Sequence, residues 1–315
     1  MILFFKGELN LIDVALLGTG GMVPLPNRFL TALYCRIKGR YILIDCGEGT
    51  QIALNILGWG IKNLDVICFT HFHADHISGL PGLLLTLGNS GRTEKIYIIG
   101  PNGIKKIIRS LCVIAPEIPF EIKIFEQDDL KQNFFKLENQ DFIINFLPVE
   151  HSIDCLAYNI FLPRRGKFNL KKATYLKIPK KLWSVLQSGK KVLHNGRFFL
   201  PKDVLGEDRR GIKISYCTDT RPINDLINFV HDSDLFICEG IYGEENKKDK
   251  AISKKHMIFS EAANLAKKSN SKELWLTHFS PAMPDPKNYL DHAKNIFENT
   301  IIPDDGMYKK FLFRN

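Results

Sequence analysis

Thr70-His71-Phe72-His73-Ala74-Asp75-His76 decides how this chain is read. Three histidines and an aspartate stand together there, a density that packing does not ask for. Before them runs Leu64-Asp65-Val66-Ile67-Cys68-Phe69, which reads as a strand; after them an apolar helix is expected from near Ile77. At an extended strand end, residues two apart point the same way, so His71 and His73 can share one metal ion. The chain then turns, and Asp75 and His76 can face a second ion beside the first. Imidazole with carboxylate is a zinc-type donor set. The bland alternative is a polar loop whose histidines fell together by chance.

A catalytic zinc takes about three protein ligands and keeps a position for water, so two ions need donors from elsewhere. Other apolar strands lead to them. Phe142-Ile143-Ile144-Asn145-Phe146-Leu147 leads to His151, and Lys213-Ile214-Ser215-Tyr216-Cys217 ends at Asp219. Glu273-Leu274-Trp275-Leu276 ends at Thr277-His278, and Asp234-Leu235-Phe236-Ile237-Cys238 ends at Glu239. Taken singly, His151, Asp219 or His278 reads as a cap or turn residue. Their shared placement at strand ends, where layered α/β proteins gather active-site groups, points to one site.

The chain resembles the metallo-β-lactamase-fold hydrolases and, within them, the short form of the ribonuclease Z family of tRNA 3′-processing endonucleases. The residues that carry this are Gly18-Thr19-Gly20-Gly21, Asp45-Cys46-Gly47-Glu48-Gly49-Thr50-Gln51, the His71 to His76 motif and His151-Ser152. Thr218-Asp219-Thr220-Arg221-Pro222 and Thr277-His278-Phe279-Ser280-Pro281 follow in the family's order. The histidine motif specifies only the superfamily; Asp-Cys-Gly-Glu-Gly-Thr-Gln and Thr-His-Phe-Ser-Pro are narrower. The resemblance implies an α/β fold, the αββα sandwich, with residues 1–315 forming one domain and 163–212 an inserted basic arm that grips tRNA.

It also implies roles. His71, His73 and His151 would hold one Zn2+, and Asp75, His76 and His278 a second, with Asp219 bridging the two. A hydroxide between the ions would attack the phosphodiester. Asp75 would accept a proton from the attacking water. His256, 22 residues before His278, would protonate the departing 3′ oxygen, oriented by Glu239. Asp45 would tie the ligand loops together. Three stretches depart from the family pattern. Cys238-Glu239-Gly240-Ile241 stands for His-Glu-Ala-Thr, Met257-Ile258 follows His256 in place of Ser-Thr, and the arm stretch Ile178 to Trp183 lacks the Gly-x-Pro element.

Length and charge agree with this reading. The 315 residues, 45% of them hydrophobic, suit one large domain or a domain with an insertion. No apolar run reaches the roughly 18 residues of a membrane span. Met1 to Gly7 shows no basic leader or cleavage site, so no signal peptide is expected. Seven scattered cysteines without Cys-x-x-Cys suggest reduced thiols and a cytoplasmic setting.

Between Arg164 and Lys213 stand fifteen Lys and Arg against three acids, a local +12 in a chain of net +9. Alone, such a run is a solvated face. Beside a hydrolytic site it reads as a footprint for nucleic-acid phosphates, with Arg164, Arg165, Lys171 and Lys172 as candidate contacts. Phe168, Tyr175, Trp183, Phe198 and Phe199 are interleaved with it, to pack a small subdomain or to touch RNA.

The function expected is thus a zinc endoribonuclease that removes 3′ trailers from precursor tRNA, as a homodimer. A zinc phosphodiesterase of the same fold, acting on small or cyclic diesters, is the alternative; a long basic arm argues against it. A non-catalytic RNA-binding protein would not need the ligand set, and a lactamase or glyoxalase would not carry the narrow motifs.

Strands are expected at 11–17, 41–45, 64–70, 95–99, 120–126, 141–147, 156–162, 212–217, 234–238 and 273–277. Helices are expected at 50–58, 77–88, 102–114, 223–232, 260–269 (capped by Ser260) and 288–299, and a loop from Glu244 to Lys255.

Overall fold

The structure is a computed structural model and describes residues 12–313; Leu11 of the first expected strand and the leader reading of Met1 to Gly7 lie outside the described residues. The strands are β1 (Ile12–Gly18), β2 (Ala32–Ile37), β3 (Arg40–Ile44), β4 (Leu64–Cys68), β5 (Ile96–Gly100), β6 (Ile122–Glu126), β7 (Phe134–Phe135) and β8 (Ile143–Val149). They continue as β9 (Cys155–Arg164), β10 (Val192–His194), β11 (Arg197–Phe199), β12 (Arg209–Cys217), β13 (Leu235–Glu239), β14 (Leu274–Thr277), β15 (Thr300–Ile301) and β16 (Tyr308–Phe311). One seven-stranded sheet runs β16-β1-β2-β3-β4-β5-β6 and a second β15-β14-β13-β12-β9-β8-β7. Each is mixed. Antiparallel pairs join β16 through β3 and β7 through β12, while β3 to β6 and β12 to β15 are parallel.

The side chains explain the layering. Val14, Leu16, Leu33, Ile42 and Val66 of the first sheet meet Ile144, Tyr158, Ile160, Ile214, Ile237 and Trp275 of the second in one buried cluster. The opposite face of the first sheet (Leu17, Tyr34, Leu43, Ile67) packs on the helices Thr50–Leu57, Leu80–Asn89 and Ile104–Leu111. The opposite face of the second (Cys217, Phe236, Cys238, Leu276) packs on Asn224–Phe229, Phe259–Lys268 and Leu290–Lys294. This is the αββα sandwich. Both faces of the central strands are covered, so they read as unbroken apolar runs. Trp275 is fully buried between the sheets, and cutting it to alanine is expected to cost about 3–5 kcal/mol.

That two-sided burial hid β2 from the expected strands: Ala-Leu-Tyr-Cys-Arg-Ile shows no alternation of period two. The helix expected at 77–88 is two, Ala74–Ile77 and Leu80–Asn89, parted at Ser78-Gly79. There the backbones of two loops touch. A Cβ on Gly79 would lie 2.1 Å from Gly47 O, and one on Gly47 2.0 Å from Asp75 O. The last helix is shorter than 288–299, covering Leu290–Lys294 after a tight turn at Pro286–Tyr289. Ser260 lies inside its helix rather than capping it; the Glu261 carboxylate instead accepts the Ile258 N–H at 3.1 Å. The loop expected over Glu244 to Lys255 is helical at Lys248–Ser253, held by Ala251 buried against Ile241, Tyr242 and Ile258.

β9 continues through Arg164 and β12 begins at Arg209, so the excursion spans 165–208, within the expected 163–212. It has its own small core of Ala173, Ile178, Leu186, Val192, Phe199 and Val204, with Phe168 and Trp183 packed on it. Tyr175 (86% exposed) and Phe198 (58%) stay outside that core. All seven cysteines are free thiols. No helix among the described residues is long and apolar enough to cross a membrane.

Candidate active site

β3, β4, β8, β12, β13 and β14 all run toward one edge of the sandwich, and the chemistry-bearing residues follow their last residues. Asp45 follows β3, the His71 to His76 loop follows β4, His151 follows β8, Asp219 follows β12 and His278 follows β14; Glu239 closes β13. The two sheets meet there through Leu156 N–H on Thr70 O at 2.9 Å.

The expected ligand atoms converge. His73 Nδ1 lies 3.0 Å from His71 Nε2 and 3.3 Å from His151 Nε2. His76 Nε2 lies 3.3 Å from His278 Nε2, and Asp75 Oδ2 lies 3.4 Å from the latter. Asp219 stands between the two groups. Its Oδ2 is 3.5 Å from His71 Nε2 and 3.6 Å from His151 Nε2; its Oδ1 is 3.4 Å from His76 Nε2 and 3.2 Å from His278 Nε2. His71, His73, His151 and Asp219 form one group that could hold an ion, and Asp75, His76 and His278 another.

Neighbouring main-chain and side-chain groups set which ring nitrogen faces inward. His76 Nδ1 donates to Asp45 Oδ2 at 2.9 Å, and His151 Nδ1 to Lys255 O at 3.2 Å, so Nε2 of each faces the cluster. Asp45 also accepts the Thr70 N–H at 2.8 Å and its hydroxyl at 2.9 Å. Asp75 Oδ2 accepts the Met22 N–H at 2.7 Å. Asp45, Asp219 and His278 all hold left-handed backbone, at φ 64°, 48° and 60°. Such strain in non-glycine residues gathers at functional sites.

The electrostatics fit cations. Facing imidazole nitrogens crowd one another at 3.0–3.3 Å, and the buried Asp219 Oδ1 has no hydrogen-bond partner. Burial opposes the Asp219 charge, but His278, His76 and His71 around it hold its pKa well below the usual carboxylate range. Burial, then the neighbouring His76, pushes His71 well below its ordinary value, leaving a neutral donor ring. The donor set of nitrogen and carboxylate oxygen suits zinc-like divalent ions.

His256 joins this edge from the segment before the helix Phe259–Lys268. Its Nδ1 donates to Glu239 Oε2 at 2.9 Å and lies 4.0 Å from Asp219 Oδ2. Burial works against its charged form, yet Glu239, then Asp219, lift it to about 9. The cluster opens into a cavity of about 770 Å³. Met22, Ile241, Tyr242, Pro281 and Ala282 make its apolar wall; Lys250, Lys254 and Lys255 stand on its rim.

Of the expected site residues, Arg164, Arg165, Lys171 and Lys172 lie apart. β9 runs from the cluster edge to Arg164, ten residues, or roughly 30 Å. Arg164 stacks over Phe313, Arg165 is half-buried beside Gly189 at the arm's base, and Lys171 and Lys172 are exposed. Sequence reading did not find the Met22 amide or the Lys255 carbonyl, because main-chain groups leave no residue signature.

Residues 30–152 match the metallo-beta-lactamase superfamily. Over 310 residues the chain is 52% identical to the Ribonuclease Z of Clostridium acetobutylicum, spanning 97% of this chain and 100% of that one. It is 54% identical to the Ribonuclease Z of Clostridium kluyveri over 304 residues, 96% of this chain and 100% of that one. The chain belongs to the ribonuclease Z family. The solved human tRNase Z, short form, matches with a TM-score of 0.65 and 24% identity over 94% of this chain and 98% of its own. A metallo-beta-lactamase fold protein from Bacillus subtilis matches at 0.68 and 20% identity over 95% and 99%. At those identities the two bear on the fold.

Two departures from the ribonuclease Z pattern now have a physical account, because the changed residues pack together. Cys238 and Met257 share one buried cluster, Ile241 and Ile258 another. Where the expected pattern has imidazole and hydroxyl groups, this chain buries apolar side chains, and the Glu239 and His256 side chains still meet.

Proposed function

We propose that this chain is an endoribonuclease that cuts 3′ trailers from precursor tRNA. The observation that carries this is the Glu239–His256 pair at 2.9 Å, set beside the seven-residue His/Asp cluster at the floor of a cavity that His256, His73, Asp75, His151, Asp219 and His278 line. A family of relatives named Ribonuclease Z supports the same reading.

His71, His73 and His151 would hold one zinc ion and Asp75, His76 and His278 the other, with Asp219 shared. When bound, the ions supply a water acidified at neutral pH and Lewis-acid charge for the phosphoryl oxygens. His256 gives its proton to the departing 3′ oxygen, and Glu239 keeps the ring charged and oriented. Asp75, anchored by the Met22 amide, accepts a proton from the attacking water. The arm over 163–212 holds the tRNA body far from the cut, because its base and the cluster lie at opposite ends of β9 and β12. Ile52 and Ile56, one turn apart on an exposed helix face (51% and 72%), suit a homodimer contact.

Purified protein incubated with a trailer-bearing precursor tRNA should release the trailer with a 3′ hydroxyl on the tRNA. The same preparation should cleave bis(p-nitrophenyl) phosphate slowly. Efficient cleavage of small or cyclic diesters, with the precursor left intact, would replace this reading by a phosphodiesterase of the same fold.

A further inference from the structure

Arg221 lies two residues after Asp219 and touches none of the cluster's inward-facing atoms. Its side chain is only 14% exposed and makes a charge-assisted fork. Nη1 donates to Glu261 Oε2 at 3.0 Å and Nη2 to Glu261 Oε1 at 2.5 Å. Nη1 also donates to the main-chain carbonyl of His256. Glu261 in turn accepts the Ile258 N–H at 3.1 Å, in the first turn of the following helix. The Arg221 main chain reaches a third segment, its N–H meeting Glu150 O at 3.0 Å, next to His151.

One residue therefore joins the loops of His151, Asp219 and His256. This matters most at His256. Glu239 holds its ring, but a ring is placed only as well as its backbone. The preceding Lys255 sits in left-handed backbone at φ 56°, which a non-glycine residue keeps only under outside restraint. The guanidinium on the next carbonyl is such a restraint. Glu239 is tied to the same loop, its Oε1 accepting the Thr220 N–H at 2.5 Å.

We propose that Arg221, locked by Glu261, is a positioning residue for proton delivery: it fixes the His256 ring against the leaving oxygen. This rests on the reading of His256 as the proton donor in phosphodiester cleavage. A planar fork is required, since lysine carries the charge without the geometry.

The test compares Arg221→Ala, Arg221→Lys and Glu261→Gln with wild type on a trailer-bearing precursor tRNA and on bis(p-nitrophenyl) phosphate, whose nitrophenolate needs little protonation. For Arg221→Ala, kcat on the precursor should fall about 100-fold, the scale of a lost general acid, with KM within about twofold. Its rate on the nitrophenyl ester should change less than about threefold. Arg221→Lys should recover part of the precursor rate, and Glu261→Gln should show a milder split of the same sign. Bound metal should stay at the wild-type level in all three. Equal losses on both substrates, or activity falling in step with bound metal, would overturn the proposal and leave Arg221 a packing residue. Should Arg221→Ala not fold, the same split in Arg221→Lys and Glu261→Gln decides. Wild type inactive on both substrates would bring down the functional reading as well; an active wild type with no split brings down this inference alone.

Discussion

Asp45 Oδ2 accepts a hydrogen bond from His76 Nδ1 at 2.9 Å, and both side chains are fully buried. Thirty-one residues part them in the chain, yet the contact sets which face His76 shows to the cluster. Asp45→Ala should strand His76 Nδ1 and the Thr70 N–H and hydroxyl. Each buried group left unpaired costs about 1–3 kcal/mol, and removing such an outer anchor weakens metal binding about 10- to 100-fold. A thermal melt and a zinc titration of the variant check both. Wild-type affinity in Asp45→Ala would mean that the ring needs no such anchor.

Metal removal tests the cluster directly. The protein should carry about two zinc ions per chain, the stoichiometry expected of a two-metal hydrolase. Chelation should lower its melting temperature, because facing imidazoles and the orphaned Asp219 Oδ1 are then left without a cation. Restored zinc at a hundredfold excess over its Kd should return about 2.7 kcal/mol. His73→Ala or Asp219→Ala should abolish hydrolysis. Full activity in chelator, with no transition metal detected, would sink the metal reading.

His256→Ala separates proton delivery from metal binding. Its ring lies on the cluster's flank, 4.0 Å from Asp219 Oδ2, so zinc content should persist. Precursor cleavage should fall about 10²- to 10⁴-fold, and the loss should shrink on a nitrophenyl ester. Glu239→Gln should act in the same direction, since Glu239 is what lifts His256 against burial. Equal losses on good and poor leaving groups would show that His256 is not the acid.

These tests bear on residues that sequence makes visible unevenly. The seven residues that converge in the cluster are legible because each follows a strand's carboxyl end, where spacing and residue type speak together. The same strands suit two sheets packed face to face, and the family resemblance supplies the sandwich. What stays hidden follows from burial and from the main chain. β2 is covered on both faces and so has no period. The break at Ser78-Gly79 comes from close backbone approach to Gly47, a neighbour in space that the sequence sets in a different loop. Arg221 stands inside a recognised motif, but its partner Glu261 is forty residues away. Only tertiary structure shows that they clamp His256.

The arm is the last test, and the structure sharpens it. Arg164 and Arg165 were expected to touch RNA beside Lys171 and Lys172, but the two arginines are half-buried at the base, and Arg209 Nε donates to Arg165 O at 3.0 Å. Lys171 and Lys172 are exposed on the helix Leu170–Tyr175, next to the exposed ring of Tyr175. Neutralising the two lysines should weaken precursor tRNA binding and reduce the salt slope by about one unit for each phosphate left without its cation. Tyr175→Ala should weaken binding with little change in salt slope, because a stacking surface releases no counterions. Replacing Arg164 and Arg165 should lower stability as well as binding, because their side chains pack against Phe313 and Gly189. Cleavage of a small diester should hold in every arm variant, since the cluster stands at the other end of β9 and β12. Binding measured by filter retention from low to high salt, against a random RNA of equal length, decides the matter. If wild type prefers the precursor no more than the random RNA, the arm is no tRNA grip, and the phosphodiesterase reading gains.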